Sequence, residues 1–336
     1  MVKITDVARH AGVSPSTVSY ALSGKRPISD ETRRRVEESI RRLGYRPHAG
    51  ARALAGGGSN VLALVMPLRT GIDVPVVMQF AASVVTTARR HDHDVLLLTQ
   101  EEGTQGLRRV VDTALVDGLV VMDVQLNDPR PALLRDLDRP SVMIGFPADS
   151  EGLTCIDLDF RAAGEACVEH LARLGHRVVA LVGSPPEVYV RGTAFAQRVV
   201  QGFTAAADRG RLISAVHPCE ASPAAARALA ERLLREQPAL TGVVVHNEAV
   251  LGPLIDAFEE LGLRVPSDLS VTAICPDELA ASLRVPVTSI ALPAAEVGER
   301  AVELLVAKLG GKRVPEATVL APRMTERGST RRRAVA

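Results

Sequence analysis

Tryptophan is absent from the 336 residues, and aromatic residues make up only 3% of them. A surface that stacks many bases or sugar rings on aromatic faces is therefore excluded. Four cysteines occur, Cys155, Cys167, Cys219 and Cys275, without a C-x-x-C pair. That excludes a disulfide framework and predicts reduced thiols in a cytoplasmic protein. No run approaches about 18 uncharged apolar residues, so no membrane span is expected. The first residues, MVKITDVARHAG, lack the apolar stretch of a signal peptide. No H-E-x-x-H, G-x-S-x-G or Walker A run is present, and no G-x-G-x-x-G follows a predicted strand. No catalytic residue, metal or cofactor is therefore assigned, and an enzyme is not expected. The HDHD stretch at 91–94 lies between a predicted helix and a predicted strand, which suits a solvated turn better than a metal site.

What is present is an ordinary globular composition, 46% hydrophobic and 24% charged. At about 150 residues per domain, the length allows two or three units. The formal net charge of +1 conceals a division. Residues 1–58 carry eleven Lys/Arg against five Asp/Glu, a surplus of six, while the rest of the chain is five negative. A basic head on an acidic body suggests a polyanion partner for the head alone.

The head has its own pattern. Thr5 can cap a helix that starts at Asp6 and runs to about Ala11. Gly12 supplies a left-handed turn and Val13 plugs the core beneath it. Ser14 caps a second helix with Pro15 at its first position, where no N–H is needed. Val18, Ala21 and Leu22 form the inward face of that helix, leaving Ser16, Thr17, Ser19 and Tyr20 for a partner. Ser29 caps a third helix with Val36, Ile40 and Leu43 inward. The D-V-A-x-x-A-G-V-S-x-x-T-V-S spacing defines a helix-turn-helix, whose second helix can present short polar side chains to base edges.

After Asn60, apolar runs alternate with helical stretches. Strands are predicted at 61–66, 94–99, 118–122, 141–145, 153–157, 177–183, 212–216, 241–245, 269–274 and 287–291. Helices are predicted at about 76–90, 104–115, 130–137, 161–174, 192–208, 223–236, 248–261 and 294–309. The pattern implies α/β structure with parallel sheets covered on both faces, and there are enough strands for two lobes.

The segment ITDVARHAGVSPSTVSYALSGKRPISDETRRRVEESIRRLGYRPHAGARALAGG resembles the DNA-binding head and hinge of the lactose-repressor (LacI/GalR) family. The later chain is similar to that family's core, which is like a periplasmic sugar-binding protein. The resemblance implies a helix-turn-helix domain at 1–46, a hinge at 47–58 and an effector-binding, dimerising core at 59–336. Within the core it implies lobe one at about 60–174 plus 287–321, and lobe two at about 175–286 plus the C-terminal end. The chain would cross between lobes near Leu174–His176, Pro286 and Pro322. The expected function is a homodimeric repressor of sugar uptake or utilisation genes. It would bind a pseudo-palindromic operator in double-stranded DNA under control of a small effector, expected to be a sugar. A regulator that answers another small metabolite is the alternative, and a solute-binding receptor or a two-lobed enzyme are the rival classes.

Carried onto this chain, the family pattern makes Pro15, Ser16 and Tyr20 the base readers, with Thr17 and Ser19 near the backbone. Thr5, Ser14, Ser29 and Tyr45 complete the DNA-binding set in the head. The hinge helix is His48 to Ala55, with His48, Ala51 and the minor-groove wedge Leu54 in contact with DNA. Most members have Arg where Tyr20 stands and Asn where His48 stands.

The hinge also has a physical basis. AGARALAGGG is too short for a stable isolated helix, and Gly56 to Gly58 end it. It should fold when docked on DNA beside a twin.

Ligands of such folds bind beyond the carboxyl ends of the strands. That rule selects Arg69, Asp123, Phe146, Arg191, Arg198, Asn247 and Asp277 as effector-binding candidates. Alone, Asn247 and Asp277 could simply cap the helices that follow them. Three departures from the family mark the core. Val199 replaces the usual arginine, with Arg198 one position earlier. Ala273-Ile274-Cys275-Pro276 replaces Gly-Phe-Asp-Asp. A longer loop before Gly202 lets Arg191 reach inward. The C-terminal RGSTRRRAVA has no leucine heptads, so no tetramerising coiled coil is expected, and it has the composition of a disordered basic tail.

Overall fold

The computed structural model describes residues 2–23, 26–45, 58–100 and 103–333. The predicted hinge, with His48, Ala51 and Leu54, lies outside the described residues.

Three helices form the head: α1 (Ile4–Ala11), α2 (Pro15–Ser23) and α3 (Asp30–Leu43). Local chemistry sets their ends. Gly12 and Gly44 adopt left-handed φ values of 63° and 61°, which glycine does at no steric cost. The Ser14 Oγ accepts the Thr17 N–H at 3.1 Å and the Ser29 Oγ accepts the Thr32 N–H at 3.2 Å, as N-caps do. Val7, Val18 and Val36 are fully buried at the centre.

Three details differ from the sequence reading. Helix α1 begins at Ile4, so Thr5 sits in its first turn; the Asp6 carboxylate instead accepts the Lys3 N–H at 2.9 Å. Leu22, one turn beyond Val18, falls outside the small head core and is 42% exposed. Tyr45 is buried in that core, which gives it a packing role.

The rest of the chain builds two six-stranded sheets. The first has the order β11 (Ala317–Leu320), β5 (Cys155–Leu158), β4 (Ser141–Ile144), β3 (Gly118–Val121), β1 (Val61–Val65) and β2 (Asp94–Leu98), all parallel. The second has the order β12 (Met324–Thr325), β10 (Thr288–Ala291), β9 (Ser270–Cys275), β8 (Gly242–Val245), β6 (Val178–Gly183) and β7 (Ile213–Pro218). It is parallel except where β12 runs against β10. Strands β1, β3, β4, β5, β6, β8 and β9 are almost wholly buried, the signature of parallel sheets sandwiched by helices.

The lobe boundaries are corrected by the packing. The helix Phe160–Arg173 lies on the helix Ala194–Arg209 and contacts β8, β9 and β10, so the chain enters lobe two just after β5, not near Leu174–His176. Strand β10 pairs with β9 through Ser289 opposite Ala273. The return to lobe one therefore falls after Ala291, not near Pro286. The final crossing lies between β11 and β12, which brackets Pro322.

The C-terminal segment is also corrected. Residues 327–333 lie along lobe two in place of a disordered tail. Ser329 is fully buried; its Oγ donates to the Val271 carbonyl at 2.6 Å and accepts the Thr288 N–H at 2.8 Å. The Arg333 N–H donates to the Leu174 carbonyl at 2.8 Å. Backbone pairing of this kind depends on tertiary neighbours and leaves no trace in local composition. All four cysteines are free and buried, and burial pushes their thiols up to about 11–12.

Candidate functional site

In the head, Ser16 and Pro15 are exposed at the start of α2, while Thr17, Ser19 and Tyr20 are half-buried. The Ser14 Oγ also bonds the Ser16 and Thr17 hydroxyls at 2.7 and 2.8 Å. These bonds fix hydroxyl groups at the positive end of a helix, where phosphate oxygens are favoured. The Arg26 guanidinium stacks on the Tyr20 ring, 5.3 Å from its centroid. This cation–π contact was not anticipated, because Arg26 lies beyond the end of the helix that carries Tyr20. The Arg35 guanidinium donates to the Ala11 and Gly12 carbonyls and so ties α3 to the turn before the reading helix.

The second site is a cavity of about 150 Å³ between the lobes. Lobe one contributes Asp73, Asp123 and Asp157; lobe two contributes Arg191, His246 and Glu248. Asp123 and His246 follow the carboxyl ends of β3 and β8, and Asp157 lies near the end of β5. Asp73 and Glu248 stand at the starts of helices, and Arg191 lies in the connection after β6. All are on the side where such folds bind ligands. Asp73 caps the helix Val74–Arg90 by accepting the Val76 N–H at 3.1 Å. Phe160, Phe195 and His246 form a ring cluster with centroids 5.5 to 5.8 Å apart, and all three line the cavity.

The lobes are joined directly at this site. The Arg191 Nη1 donates to the Thr70 carbonyl at 2.9 Å. The Arg198 Nη2 donates to the Phe146 carbonyl at 3.0 Å. The Ala194 N–H donates to the Val124 carbonyl and the Leu126 N–H to the Gly192 carbonyl, both at 2.9 Å.

Of the sequence-selected residues, the structure brings Asp123, Arg191 and Asn247 to the cavity. Asn247 does so in a different role. Its amide donates to the Gly183 and Cys219 carbonyls at 3.3 and 2.8 Å, and it makes no side-chain cap. It braces two strand ends. Asp123 is ion-paired with Arg69 at 3.0 Å. Arg198 is held by the Phe146 carbonyl and lies outside the cavity lining, as does Phe146 itself. Asp277 is displaced altogether: its carboxylate pairs with Arg327 at 2.5 Å, because the C-terminal segment occupies that side of lobe two.

Sequence reasoning missed Asp73, Asp157 and Glu248 as cavity groups. Burial pushes the Asp157 carboxyl up to about 7, against a bond from the Leu158 N–H and the nearby Arg198 charge. Burial, reinforced by the Asp73 charge, raises Glu248 to about 7. Burial lowers His246 to about 4, and its Nδ1 has no hydrogen-bond partner. The Nε and Nη2 of Arg191 are likewise buried without a partner. Unpaired buried groups of this kind cost about 1–3 kcal/mol each, so the cavity favours a ligand that both accepts and donates hydrogen bonds.

A DNA-reading head on a two-lobed, ligand-binding core defines the class of this protein. Residues 3–48 match the model of bacterial regulatory proteins of the lacI family, and residues 168–330 match the periplasmic binding protein-like domain. The HTH-type transcriptional regulator AglR of Rhizobium meliloti (strain 1021) is 30% identical over 282 residues, covering 81% of this chain and 77% of that protein. The ribose operon repressor of Escherichia coli (strain K12) is 26% identical over 341 residues, covering 98% and 100%. A lac repressor dimer bound to operator and the anti-inducer ONPF superposes with a TM-score of 0.79 at 23% identity, covering 98% and 99% of the two chains. The chain belongs to the lacI family of bacterial regulatory proteins. It is a DNA-binding transcriptional regulator and not an enzyme.

Proposed function

We propose that this regulator is a cytoplasmic, nucleoid-associated homodimeric repressor whose hold on a pseudo-palindromic operator is set by a small saccharide in the interlobe cavity. The observation that carries the saccharide is the polar lining of the cavity. Arg191 offers two unpaired guanidinium nitrogens to a cavity that the carboxyls of Asp157 and Glu248 also line. A sugar hydroxyl donates to a carboxylate and accepts from a guanidinium, so a vicinal pair satisfies both. The Phe160–Phe195 wall receives the apolar face of the ring. The name of the ribose operon repressor supports the same class.

In the head, Pro15, Ser16 and Tyr20 read base edges, and Ser14, Thr17 and Ser19 position the helix on phosphates. Bound ligand favours one lobe angle and hence one separation of the two hinges. It shifts the equilibrium only by its differential affinity for the two states, commonly about 1–3 kcal/mol.

The test is a DNA selection with purified protein, followed by operator binding in the presence of saccharides that raise the melting temperature. A saccharide that stabilises the core and changes operator affinity supports the reading. Stabilisation only by ligands without hydroxyl groups would sink the saccharide assignment.

A further inference from the structure

The chain re-enters the described residues at Gly58, directly after the segment that links head and core. Gly58, Ser59 and Asn60 wrap one carboxylate. The Asp117 Oδ1 accepts the Ser59 N–H at 2.6 Å and its Oδ2 accepts the Asn60 N–H at 2.7 Å. A Cβ added to Gly58 would lie 2.6 Å from the Asp117 Oδ2. Asn60 takes a left-handed φ of 55°, a conformation that L-residues other than glycine rarely adopt and that here turns its N–H toward the carboxylate. Ser59 is 3% exposed, and its Oγ accepts the Val61 N–H at 3.2 Å. The backbone on either side is fixed too. The Asp117 N–H donates to the Val61 carbonyl and the Asp94 N–H to the Asn60 carbonyl, both at 2.8 Å.

A buried serine, a left-handed asparagine and a glycine with no room for a side chain together make a built anchor. A single carboxylate takes two successive backbone donors, and charge-assisted bonds of this kind are short and strong. Its position matters more than its strength. Asp117 directly precedes β3, near the middle of the lobe-one sheet. The other end of that strand leads into Met122 and Asp123 at the effector cavity. Six residue steps at about 3.3 Å separate the two ends, about 20 Å along one strand.

We propose that Asp117 is a positioning residue for DNA binding: it clamps the root of the head's tether to the base of β3, so that lobe one sets where each head leaves the core. Transmission from the cavity along β3 rests on the effector reading above; the clamp itself does not.

The experiment compares wild type, Asp117→Ala, Asp117→Asn and Gly58→Ala as full-length chains. The DNA is a palindrome selected by wild type, with random DNA as control. Asp117→Ala is expected to weaken operator binding at least tenfold, leave random-DNA binding unchanged and speed hydrogen exchange at the Ser59 and Asn60 amides. Asp117→Asn, with one acceptor oxygen in place of two, should fall between. Gly58→Ala should reproduce the loss, and the double variant with Asp117→Ala should be no worse than either single one. Additive losses, equal loss on random DNA, or a lower melting temperature with unchanged operator affinity would each overturn the clamp.

For the transmission arm, a saccharide that stabilises wild type should bind Asp117→Ala with unchanged affinity while its effect on operator binding shrinks. Unchanged coupling would overturn transmission. If no saccharide acts on wild type, the effector reading fails and the DNA arm still decides the clamp.

Discussion

The guanidinium of Arg191, in lobe two, donates to the carbonyl oxygen of Thr70, in lobe one, at 2.9 Å. Its remaining buried N–H groups have no partner. One side chain thus both closes the cleft and addresses the cavity.

Arg191→Met should therefore weaken saccharide binding by about 10- to 150-fold, the equivalent of about 1.5–3 kcal/mol for hydrogen bonds to a charged group. Operator binding without ligand should be retained. Calorimetric titration with the stabilising saccharide checks the first part and gel shift the second. Unchanged ligand affinity would leave Arg191 as an interlobe strut only.

Glu248 sits in the cavity with its carboxyl raised from 4.5 to about 7. A raised folded-state value means that its contribution is fully present below pH 4.5 and is lost as pH rises through about 7. Glu248→Gln removes this loss. The variant should melt about 2–4 °C above wild type at pH 8, for about 1 kcal/mol, and match it near pH 4.5. Buried His246 and His176, lowered from 6.5 to about 4, act in the opposite sense. Their contribution is present above pH 6.5 and is lost as pH falls toward 4 in both proteins. A difference between variant and wild type that grows on acidification would contradict the assignment.

Tyr20 carries the Arg26 guanidinium on its ring. Tyr20→Phe keeps that stack and removes the hydroxyl; Tyr20→Arg replaces the stacked ring with a second cation. Both should bind random DNA about as well as wild type, since base contacts specify and phosphate contacts position. Tyr20→Arg should shift the preferred base pair by about 1–3 kcal/mol. Selection from a randomised operator pool reads this out, and an identical consensus for all three proteins would place Tyr20 away from the bases.

The surplus of positive charge in residues 1–58 should make operator affinity steeply dependent on salt. The slope of log K against log salt is expected at about −0.9 per neutralised phosphate. Exposed Arg33→Ala and Arg34→Ala test it: loss of one contact should flatten the slope by about one. A wild-type slope near zero would remove the electrostatic role of the head.

The helices Phe160–Arg173 and Ala194–Arg209 touch through glycine. A Cβ on Gly202 would meet the Arg161 carbonyl oxygen at 2.0 Å, and one on Gly164 the Val199 carbonyl oxygen at 2.5 Å. Backbone on both sides leaves nothing to swing aside. Gly202→Ala should cost about 1–3 kcal/mol of core stability, as overpacking does, with a matching fall in melting temperature. An unchanged melting temperature would show that the helices can separate freely.

The sequence by itself determined everything set within a few residues. Gly12, Ser14, Pro15 and Ser29 fix the turn and caps of the head through their own backbone and side-chain chemistry. The continuous apolar runs at β1, β3, β4, β6 and β8 identify buried parallel strands, because both faces of each strand must be covered. Strands β11 and β12 escaped notice: one is half-exposed at a sheet edge and the other is two residues long, so neither carries a buried run.

Only the tertiary structure decided which lobe each segment joins, since that depends on partners far along the chain. Strand β10 belongs to lobe two through β9, and the basic C-terminal segment is ordered by Val271, Thr288 and Leu174. The same reason governs the cavity. Asp73 caps one helix and Glu248 opens another, and each is locally unremarkable. Their meeting at one cavity, where desolvation and the Asp73 charge raise the Glu248 carboxyl, exists only once two sheets built from interleaved segments close on a shared cleft.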